Sequence, residues 1–206
     1  METVFIVDYG AGNLGSLRNM LMRKCGVNCE ILREPEALTQ EGKIILPGVG
    51  HFGFASKALL DSGWAQKLRK DAQEGRVILG ICLGAQLLLE RSEEGEGEGL
   101  SLIPGEVARF KLSQLRDGER VPHMGWSDVS VMDEQLQNAM ATDSRFYFVH
   151  SFYLKPNLPE HVLMNSEFAN GFCSAIRKDN VTGVQFHPEK SHHFGIAFLK
   201  AWLAGS

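Results

Sequence analysis

Short apolar runs alternate with helical stretches along the first half of the chain. Continuous apolar runs that stop at glycine, proline or polar residues are typical of buried parallel strands. Strands are predicted at residues 4–7, 27–32, 43–46 and 76–80. Apolar residues at helical spacing lie between them, and helices are predicted at residues 14–25, 54–60, 64–74 and 83–91. The alternation predicts an α/β fold with a mostly parallel central sheet.

The pattern changes from about Val107 onward. Strand-like segments then follow one another with little helix between them, at residues 129–131, 146–149, 161–164 and 172–176. We expect them to add antiparallel or mixed strands to the parallel core. A last strand is predicted at 181–186, and a terminal helix at 194–203 with one side formed by Phe194, Ala197, Phe198, Ala201 and Trp202. Since no linker or internal repeat is evident, residues 1–206 are expected to form a single domain.

One segment differs from both halves. Residues 92–99 read Ser-Glu-Glu-Gly-Glu-Gly-Glu-Gly, which is too polar and too rich in glycine to build a packed element. We therefore predict an exposed loop there.

Composition excludes several classes of protein. Of 206 residues, 44% are hydrophobic and 22% are charged, which excludes wholesale disorder. The net charge of -4 argues against a nucleic-acid partner held through its phosphates. No apolar run reaches the roughly 18 residues of a membrane span, and Met1 leads into a strand pattern rather than a signal peptide. We expect a cytoplasmic protein with no membrane partner.

The cysteines predict no disulfide scaffold and no metal site. There are four, too few and too scattered to staple a fold: Cys25, Cys29, Cys82 and Cys173. The close pair Cys25 and Cys29 lacks a second pair of ligands and a nearby histidine, so it does not resemble a zinc site. Free thiols are expected, with neither a metal nor a cofactor.

Cys82 occupies a Gly-x-Cys-x-Gly pattern between a predicted strand and a predicted helix. A sharp strand-to-helix turn strains the backbone of the central residue, and the flanking Gly80 and Gly84 relieve crowding around it. The helix start favours thiolate over thiol, and its backbone N–H groups can face a developing oxyanion. The pattern predicts a nucleophile; the alternative is a buried structural cysteine in a glycine-rich turn.

A His-Pro-Glu sequence follows the last predicted strand. His187 can take the thiol proton as a base and later protonate a leaving amine. Glu189, two residues on, can hold the imidazole tautomer and support the imidazolium. A third segment, residues 47–50 (Pro-Gly-Val-Gly), leaves the backbone free to turn an N–H toward the active centre, unless it is an ordinary turn.

Together these three segments resemble the class I, triad-type glutamine amidotransferase family, and the match runs along most of the chain. Within the family, the chain looks like the glutaminase subunits of imidazole glycerol phosphate synthases. That narrower resemblance rests on residues 8–13, 46–50, 121–126, 147–151 and 186–191. It implies the three-layer fold of the family, with a mostly parallel central sheet and added antiparallel or mixed strands.

The resemblance implies hydrolysis of L-glutamine to glutamate and ammonia. In the implied reaction Cys82 attacks the side-chain amide, His187 protonates the departing ammonia, and water hydrolyses the γ-glutamyl thioester; Glu189 orients His187. The implied oxyanion donors are the backbone N–H groups of Leu83 and, after a peptide flip, Val49. The implied substrate-binding residues are Gly48, Gly50, Gln86, Glu94, His150 and Ser151.

The resemblance also implies a heterodimer with a (β/α)8-barrel cyclase subunit. Ammonia released into water at neutral pH would be protonated and lost as a nucleophile, so a shielded channel to the partner avoids that loss. In the family the partner forms imidazole glycerol phosphate and aminoimidazole carboxamide ribotide, a step of histidine biosynthesis. The implied interface residues are Asn13, His123, Met124 and Trp126, for which a core tryptophan and a turn asparagine are the structural alternatives.

Three positions or segments depart from the family pattern, and the last of them bears on the acceptor pathway. Ala85 stands where relatives often have methionine, and Ser127 stands where asparagine is usual. Residues 190–195 resemble paralogous subunits that supply ammonia to sugar amidotransferases of surface-polysaccharide biosynthesis. That role, a stand-alone thiol hydrolase and a non-catalytic partner protein are the alternatives to the leading hypothesis.

Overall fold

A computed structural model describes residues 3–140 and 144–205. The strands are β1 (Thr3–Val7), β2 (Asn28–Leu32), β3 (Lys43–Gly48), β4 (Ile78–Cys82), β5 (Arg91–Ser92), β6 (Gly105–Arg109), β7 (His123–Val131), β8 (Arg145–His150), β9 (Phe152–Pro156), β10 (Val162–Ser166), β11 (Phe172–Lys178) and β12 (Val181–Val184). The helices are α1 (Leu14–Met20), α2 (Phe52–Asp61), α3 (Trp64–Gln73), α4 (Leu83–Leu87), α5 (Glu134–Ala139) and α6 (His192–Ala204).

The strands join in one sheet whose first half is parallel. Its order is β2-β1-β3-β4-β12, and every neighbouring pair there is parallel. The strands β11, β10, β7 and β8 continue it with antiparallel pairs, and β9 and β6 branch from β11. The predicted α/β fold with added antiparallel strands is confirmed.

The carboxyl ends of three central strands meet at one edge of the sheet. Gly48 at the end of β3 is the register partner of Cys82 at the end of β4. Val184 at the end of β12 is the partner of Ile81. Loops that follow these strands therefore lie side by side, where binding sites of parallel sheets are found.

Some element boundaries differ from the prediction. Strand β3 continues through Pro47 because β1 pairs with β3 only as far as Ile45, so the missing proline N–H breaks no bond with β1. Helix α4 stops at Leu87 rather than Arg91. Its last carbonyls accept hydrogen bonds from the chain at Leu100 and beyond, which ends the helical pattern. Strands β5, β6 and β9 and helix α5 were not predicted.

Two hydrophobic cores lie on the two faces of the sheet. One packs α2, α3 and α4, and the other packs α1 and α6. In the second core, the stacked rings of Phe146 and Phe186 lie 3.9 Å apart, and Phe198 meets Phe186 edge-on at 5.4 Å. These aromatic contacts hold Phe186, and with it the segment that follows β12, in place.

The buried stripe of α6 differs from the predicted one. Gly195, Phe198, Leu199 and Trp202 are its buried residues, whereas the predicted Phe194, Ala197 and Ala201 are half-buried. A Cβ at Gly195 would overlap the carbonyl oxygen of Pro188, so this close backbone contact sets the rotation of the helix.

The prediction of an exposed loop at 92–99 is partly wrong. The backbone N–H of Phe52, at the start of α2, donates to Glu94 Oε2 at 2.8 Å. Ser56 Oγ, one turn along α2, donates to the carbonyl of Glu98 at 2.6 Å. Some polar groups of the loop are therefore satisfied by hydrogen bonds to α2 rather than by water.

No helix within residues 3–140 and 144–205 is long and apolar enough to cross a membrane.

We predict that Gly84→Ala destabilises the protein strongly. Its Cβ would overlap the carbonyl oxygen of Leu46, a backbone atom that cannot move without shifting β3. Urea unfolding should show a loss of about 1–3 kcal/mol or more. The control is Gly15→Ala in α1, where nothing lies within 4 Å, and this variant should be neutral or slightly more stable. Equal stability of the two variants would contradict the packing argument.

Candidate active site

A cavity of about 290 Å³ opens at the carboxyl edge of the central strands. Its lining residues are Val49, Gly50, Cys82, Leu83, Gln86, Glu94, Pro122, Val149, His150, Ser151, Phe152 and His187. They include every predicted catalytic, oxyanion and substrate residue except Glu189 and Gly48. A larger cavity of about 480 Å³, beside α5 and α6, contains none of the predicted site residues.

Cys82 occupies the strained turn that the glycine pattern predicts. Its backbone has φ 54° and ψ −111°, a conformation that residues with a Cβ rarely adopt. A Cβ at Gly80 would come within 2.7 Å of Ala85 Cα, and one at Gly84 would overlap Leu46. The two glycines therefore permit the tight packing that holds the turn. Since α4 has five residues, its dipole supports a thiolate less than the longer predicted helix would.

His187 and Glu189 form a buried pair. His187 Nδ1 lies 2.8 Å from Glu189 Oε1, and both side chains are at most 6% exposed. Because a carboxylate only accepts, Nδ1 carries the hydrogen and Nε2 is the atom left for chemistry. Nε2 makes no hydrogen bond to any described residue.

The backbone around His187 is held from both sides. Its N–H donates to the carbonyl of Tyr147 at 3.0 Å, and its carbonyl accepts from Ser191 Oγ at 2.7 Å. The same Ser191 hydroxyl accepts from the backbone N–H of Tyr147 at 3.0 Å. Strand β8 therefore determines where the imidazole lies.

Charge around His187 outweighs its burial. Burial by itself lowers the pKa of His187, but interaction with Cys82 and with Glu189 raises it to about 9. Both partners therefore favour the protonated form of the ring. An imidazolium placed this way can give its proton to a leaving amine.

The segment after β3 lines the same cavity as Cys82. Val49 and Leu83 both line the cavity with Cys82, and Val49 is 44% exposed. Gly48 lies behind them: a Cβ there would come within 2.5 Å of the hydroxyl of Tyr9. Tyr9 is buried, and burial raises the pKa of its phenol above the usual range. The oxyanion role of Val49 and Leu83 stays a prediction.

Two glutamine side chains extend the site beneath Cys82. Gln86 Nε2 donates to the carbonyl of Phe152 at 3.3 Å and to Gln185 Oε1 at 3.1 Å. Gln185 Nε2 in turn lies 3.7 Å from Cys82 Sγ. Both hydrogens of the Gln86 amide are therefore engaged, and only its Oε1 is left to meet a substrate. Sequence reasoning missed Gln185, although a glutamine in an apolar strand next to His187 was a signal that could have identified it.

Glu94 has a position that suits substrate binding. One carboxylate oxygen accepts from Phe52 N–H, which holds the side chain at the cavity wall. His150, at the end of β8, and Ser151, which follows it, line the same cavity as Glu94. Their substrate roles stay predictions.

The predicted interface role of His123 does not fit its surroundings. The side chain is 6% exposed and stacks on Phe148 and Phe168, with ring centroids 5.1 Å and 4.2 Å away. Its Nδ1 lies 3.0 Å from His150 Nε2, and its Nε2 lies 2.9 Å from Ser127 Oγ. His123 therefore faces inward from β7 and contacts the cavity-lining residue His150, so it does not lie at a partner surface.

His123 and His150 are held neutral. Burial lowers the pKa of His123 to about 4 and that of His150 to about 3. His150 Nδ1 donates to the carbonyl of Phe152 at 2.7 Å, so its Nε2 accepts from His123. The remaining nitrogen of His123 then accepts from the Ser127 hydroxyl.

The other three predicted interface residues lie at the surface. Met124 is 63% and Trp126 39% exposed, and Trp126 stacks on His192 at 5.5 Å with an interplanar angle of 5°. Asn13 is exposed and makes no side-chain bond to the α1 helix that it precedes. A core tryptophan therefore does not describe Trp126, whereas Asn13 does lie in the turn before α1.

Comparison with known proteins agrees with this geometry. Residues 5–203 match the model of the family described as glutamine amidotransferase class-I. The chain belongs to the class I glutamine amidotransferase family.

Within that family the chain is similar to proteins named as imidazole glycerol phosphate synthase subunits. It is 43% identical to imidazole glycerol phosphate synthase subunit HisH 2 of Methanococcus maripaludis, over 97% of this chain and 98% of the relative. It is 40% identical to the HisH 2 subunit of Pseudomonas aeruginosa, over the same shares. A HisH subunit of Chlorobaculum tepidum is 42% identical, over 96% of this chain and 97% of the relative.

Solved structures support the fold. A structure described as a glutamine amidotransferase has a TM-score of 0.74 at 21% identity, over 98% of this chain and 99% of that one. The PurLQS structure from Thermotoga maritima has a TM-score of 0.75 at 18% identity, over 98% of each chain.

We predict that the neutral histidines make the protein sensitive to acid. In the unfolded chain each ring binds a proton near pH 6.5, whereas the folded rings stay neutral to about pH 4 and pH 3. Protonation therefore favours the unfolded state, and stability is lost as the pH falls. Each histidine should remove about 2 kcal/mol from the free energy of unfolding between pH 7.5 and pH 5.

Urea unfolding of His123→Gln at the two pH values tests this. The variant should lose about 2 kcal/mol less than the wild type across the interval. His193→Gln, which replaces an exposed histidine of α6, should lose as much as the wild type. A wild-type loss that His123→Gln leaves unchanged would contradict the assignment.

Proposed function

We propose that this protein is the glutaminase subunit of an imidazole glycerol phosphate synthase. It hydrolyses L-glutamine to glutamate and ammonia and channels the ammonia to a (β/α)8-barrel cyclase subunit. The single observation that carries the proposal is the meeting of Cys82 and His187 on one cavity, with Glu189 bonded to His187, in a chain about 40% identical to HisH subunits. Histidine biosynthesis in the cytoplasm is the setting that this function implies.

The first half of the reaction is an acyl transfer to sulfur. Cys82 Sγ attacks the side-chain carbonyl carbon of glutamine, and the carbonyl electrons move to oxygen, where the Val49 and Leu83 N–H groups meet the charge. His187 gives its Nε2 proton to the amide nitrogen. The C–N bond breaks, ammonia leaves, and a γ-glutamyl thioester remains.

The second half is hydrolysis of that thioester. His187 is now neutral, so its Nε2 takes a proton from water, and the oxygen attacks the thioester carbonyl. The C–S bond breaks, glutamate leaves, and Cys82 returns as a thiolate beside the imidazolium. Glu189 stays ionised throughout, holding Nδ1–H and the ring orientation.

The cavity offers complementary groups for an amino acid. Its volume of about 290 Å³ is small and suits one glutamine-sized molecule. The Glu94 carboxylate can attract the α-ammonium group, and the free Gln86 Oε1 can accept from a substrate N–H.

A narrow cleft on the other side of the catalytic pair supports an exit for ammonia. It is lined by Asn13, Leu17, Pro47, Gly48, Val49, Ile81, His187 and Glu189. The cleft thus runs from His187 to the exposed Asn13. Helix α1 contacts the segment Pro188–Lys190, which leads to the Trp126–His192 stack. We place the barrel partner over this surface.

One observation favours a second acceptor. His192 belongs to the stretch that resembles subunits of sugar amidotransferase systems, and it stacks on Trp126 in the proposed docking surface. A residue that departs from the usual pattern thus lies within the surface where we place the partner. Glutamine-dependent product formation with each candidate synthase distinguishes the two pathways.

We predict that Cys82→Ala abolishes glutamine hydrolysis. With a barrel partner present, glutamine-dependent synthesis should fall by about a thousandfold or more, because no covalent intermediate can form. Synthesis from added ammonium salt should persist, since the acceptor site belongs to the partner. Retained glutaminase activity, measured as glutamate release, would show that another residue is the nucleophile.

We predict that Trp126→Ala weakens binding of the barrel partner. A half-exposed aromatic side chain at an interface centre typically contributes about 2 kcal/mol or more, so the Kd should rise about thirtyfold. Phe54→Ala removes an aromatic side chain that is 78% exposed on α2 and should leave the Kd unchanged. Calorimetric titration measures both, and equal affinities would place the partner elsewhere.

A further inference from the structure

We propose that Gln185 is a further residue of the reaction centre, whose side-chain N–H donates to Cys82 Sγ and stabilises the thiolate. Hydrogen bonds from Gln86 to the Phe152 carbonyl and to Gln185 hold its amide in that orientation. The inference rests on the proposed nucleophilic role of Cys82.

The Gln185 side chain is placed to act on the sulfur. It has no exposed surface, and its Nε2 lies 3.7 Å from Cys82 Sγ, a normal distance for a hydrogen bond to sulfur. Its backbone N–H donates to the carbonyl of Ser174 at 2.9 Å, which holds the residue beside β11. An amide buried this completely must satisfy its polar atoms from within the protein.

The carbonyl of Phe152 decides which way the amides point. A carbonyl only accepts, so the Gln86 atom 3.3 Å from it must be Nε2. The second hydrogen of that nitrogen points to Gln185 at 3.1 Å, so the Gln185 atom that receives it must be Oε1. Gln185 therefore has only its N–H groups left to present to Cys82.

A second run of hydrogen bonds, which begins on β7, ends on the same carbonyl. His150 donates from Nδ1 to the same Phe152 carbonyl at 2.7 Å, and it accepts at Nε2 from His123. Ser127 donates to His123 at 2.9 Å. Because both rings are neutral, each accepts a hydrogen bond at one nitrogen and donates one from the other. A strand at the proposed partner surface is thereby linked to the Phe152 carbonyl that orients the two glutamines.

A donor aimed at sulfur favours its charged form. A thiolate accepts hydrogen bonds much more strongly than a thiol, so the Gln185 N–H stabilises the attacking species. The contact weakens when the thioester forms and the sulfur loses its charge. It strengthens again as the C–S bond breaks and the thiolate leaves, so Gln185 assists both ends of the covalent cycle.

Four titratable groups also face the site from the elements around Cys82. His187 follows β12 and Tyr9 follows β1, while Glu94 follows β5 and His150 ends β8. The Gln185 contribution is therefore measured as a difference between variants in which these four groups are unchanged.

Alkylation of Cys82 by iodoacetamide tests the inference without requiring turnover. The rate is followed at Cys82 by mass spectrometry of its peptide, across a range of pH, on the full chain. Gln185→Met keeps the volume but removes the donor, and the rate at pH 7 should fall about three- to tenfold. The limiting rate at high pH, where the sulfur is fully ionised, should stay within about twofold of the wild-type rate. Gln73→Met, on the exposed side of α3, should behave as wild type.

Gln185→Glu keeps the shape of the side chain and decides the matter if Gln185→Met fails to fold. A carboxylate cannot donate and repels a thiolate, so the rate at pH 7 should fall further than in Gln185→Met. Wild-type alkylation rates in either folded Gln185 variant would overturn the inference.

If those rates are unchanged while Cys82→Ala abolishes glutamate release, Gln185 has no such role and the proposed function stands. If Cys82→Ala retains glutamate release, the proposed function itself is wrong.

Discussion

The site depends on the close packing of Gly84 against the carbonyl of Leu46, where the turn after β4 meets the backbone of β3. This contact holds α4 against the sheet and keeps Cys82 in a backbone conformation that residues with a Cβ disfavour. A cysteine in relaxed strand geometry would point into one of the two cores. Strain at one residue, maintained by packing at its neighbours, is what brings the thiol to the cavity.

Burial lowers the pKa of each histidine in this region, but the net shifts are opposite because their partners differ. His187 has a carboxylate and a sulfur beside it, and these raise its pKa although burial opposes them. His123 and His150 have each other, a hydroxyl and a carbonyl, none of which carries charge, so burial lowers their pKa values. His187 can therefore take part in proton transfer at neutral pH, whereas His123 and His150 form fixed hydrogen bonds as neutral rings.

The proposed catalytic pair, Cys82 and His187, lies between two spaces with different lining. The larger space contains the Glu94 carboxylate and polar groups of β8, as a polar substrate requires. The smaller space is lined by Leu17, Pro47 and Ile81 together with the polar side chains of Asn13, His187 and Glu189.

The sequence by itself determined the features that follow local patterns. These are the order of strands and helices, the strained turn at Cys82, the His-Pro-Glu segment and most of the cavity lining. What lay beyond local pattern was decided by the tertiary structure. Segments such as β6 and β9, which were not predicted as strands, became strands by pairing with each other, and the loop at Glu94 is held by the start of α2. His123 turned inward because its partners, His150 and Phe168, come from distant parts of the chain. Hydrogen-bond direction is a property of such long-range contacts, so no spacing in the sequence could predict it.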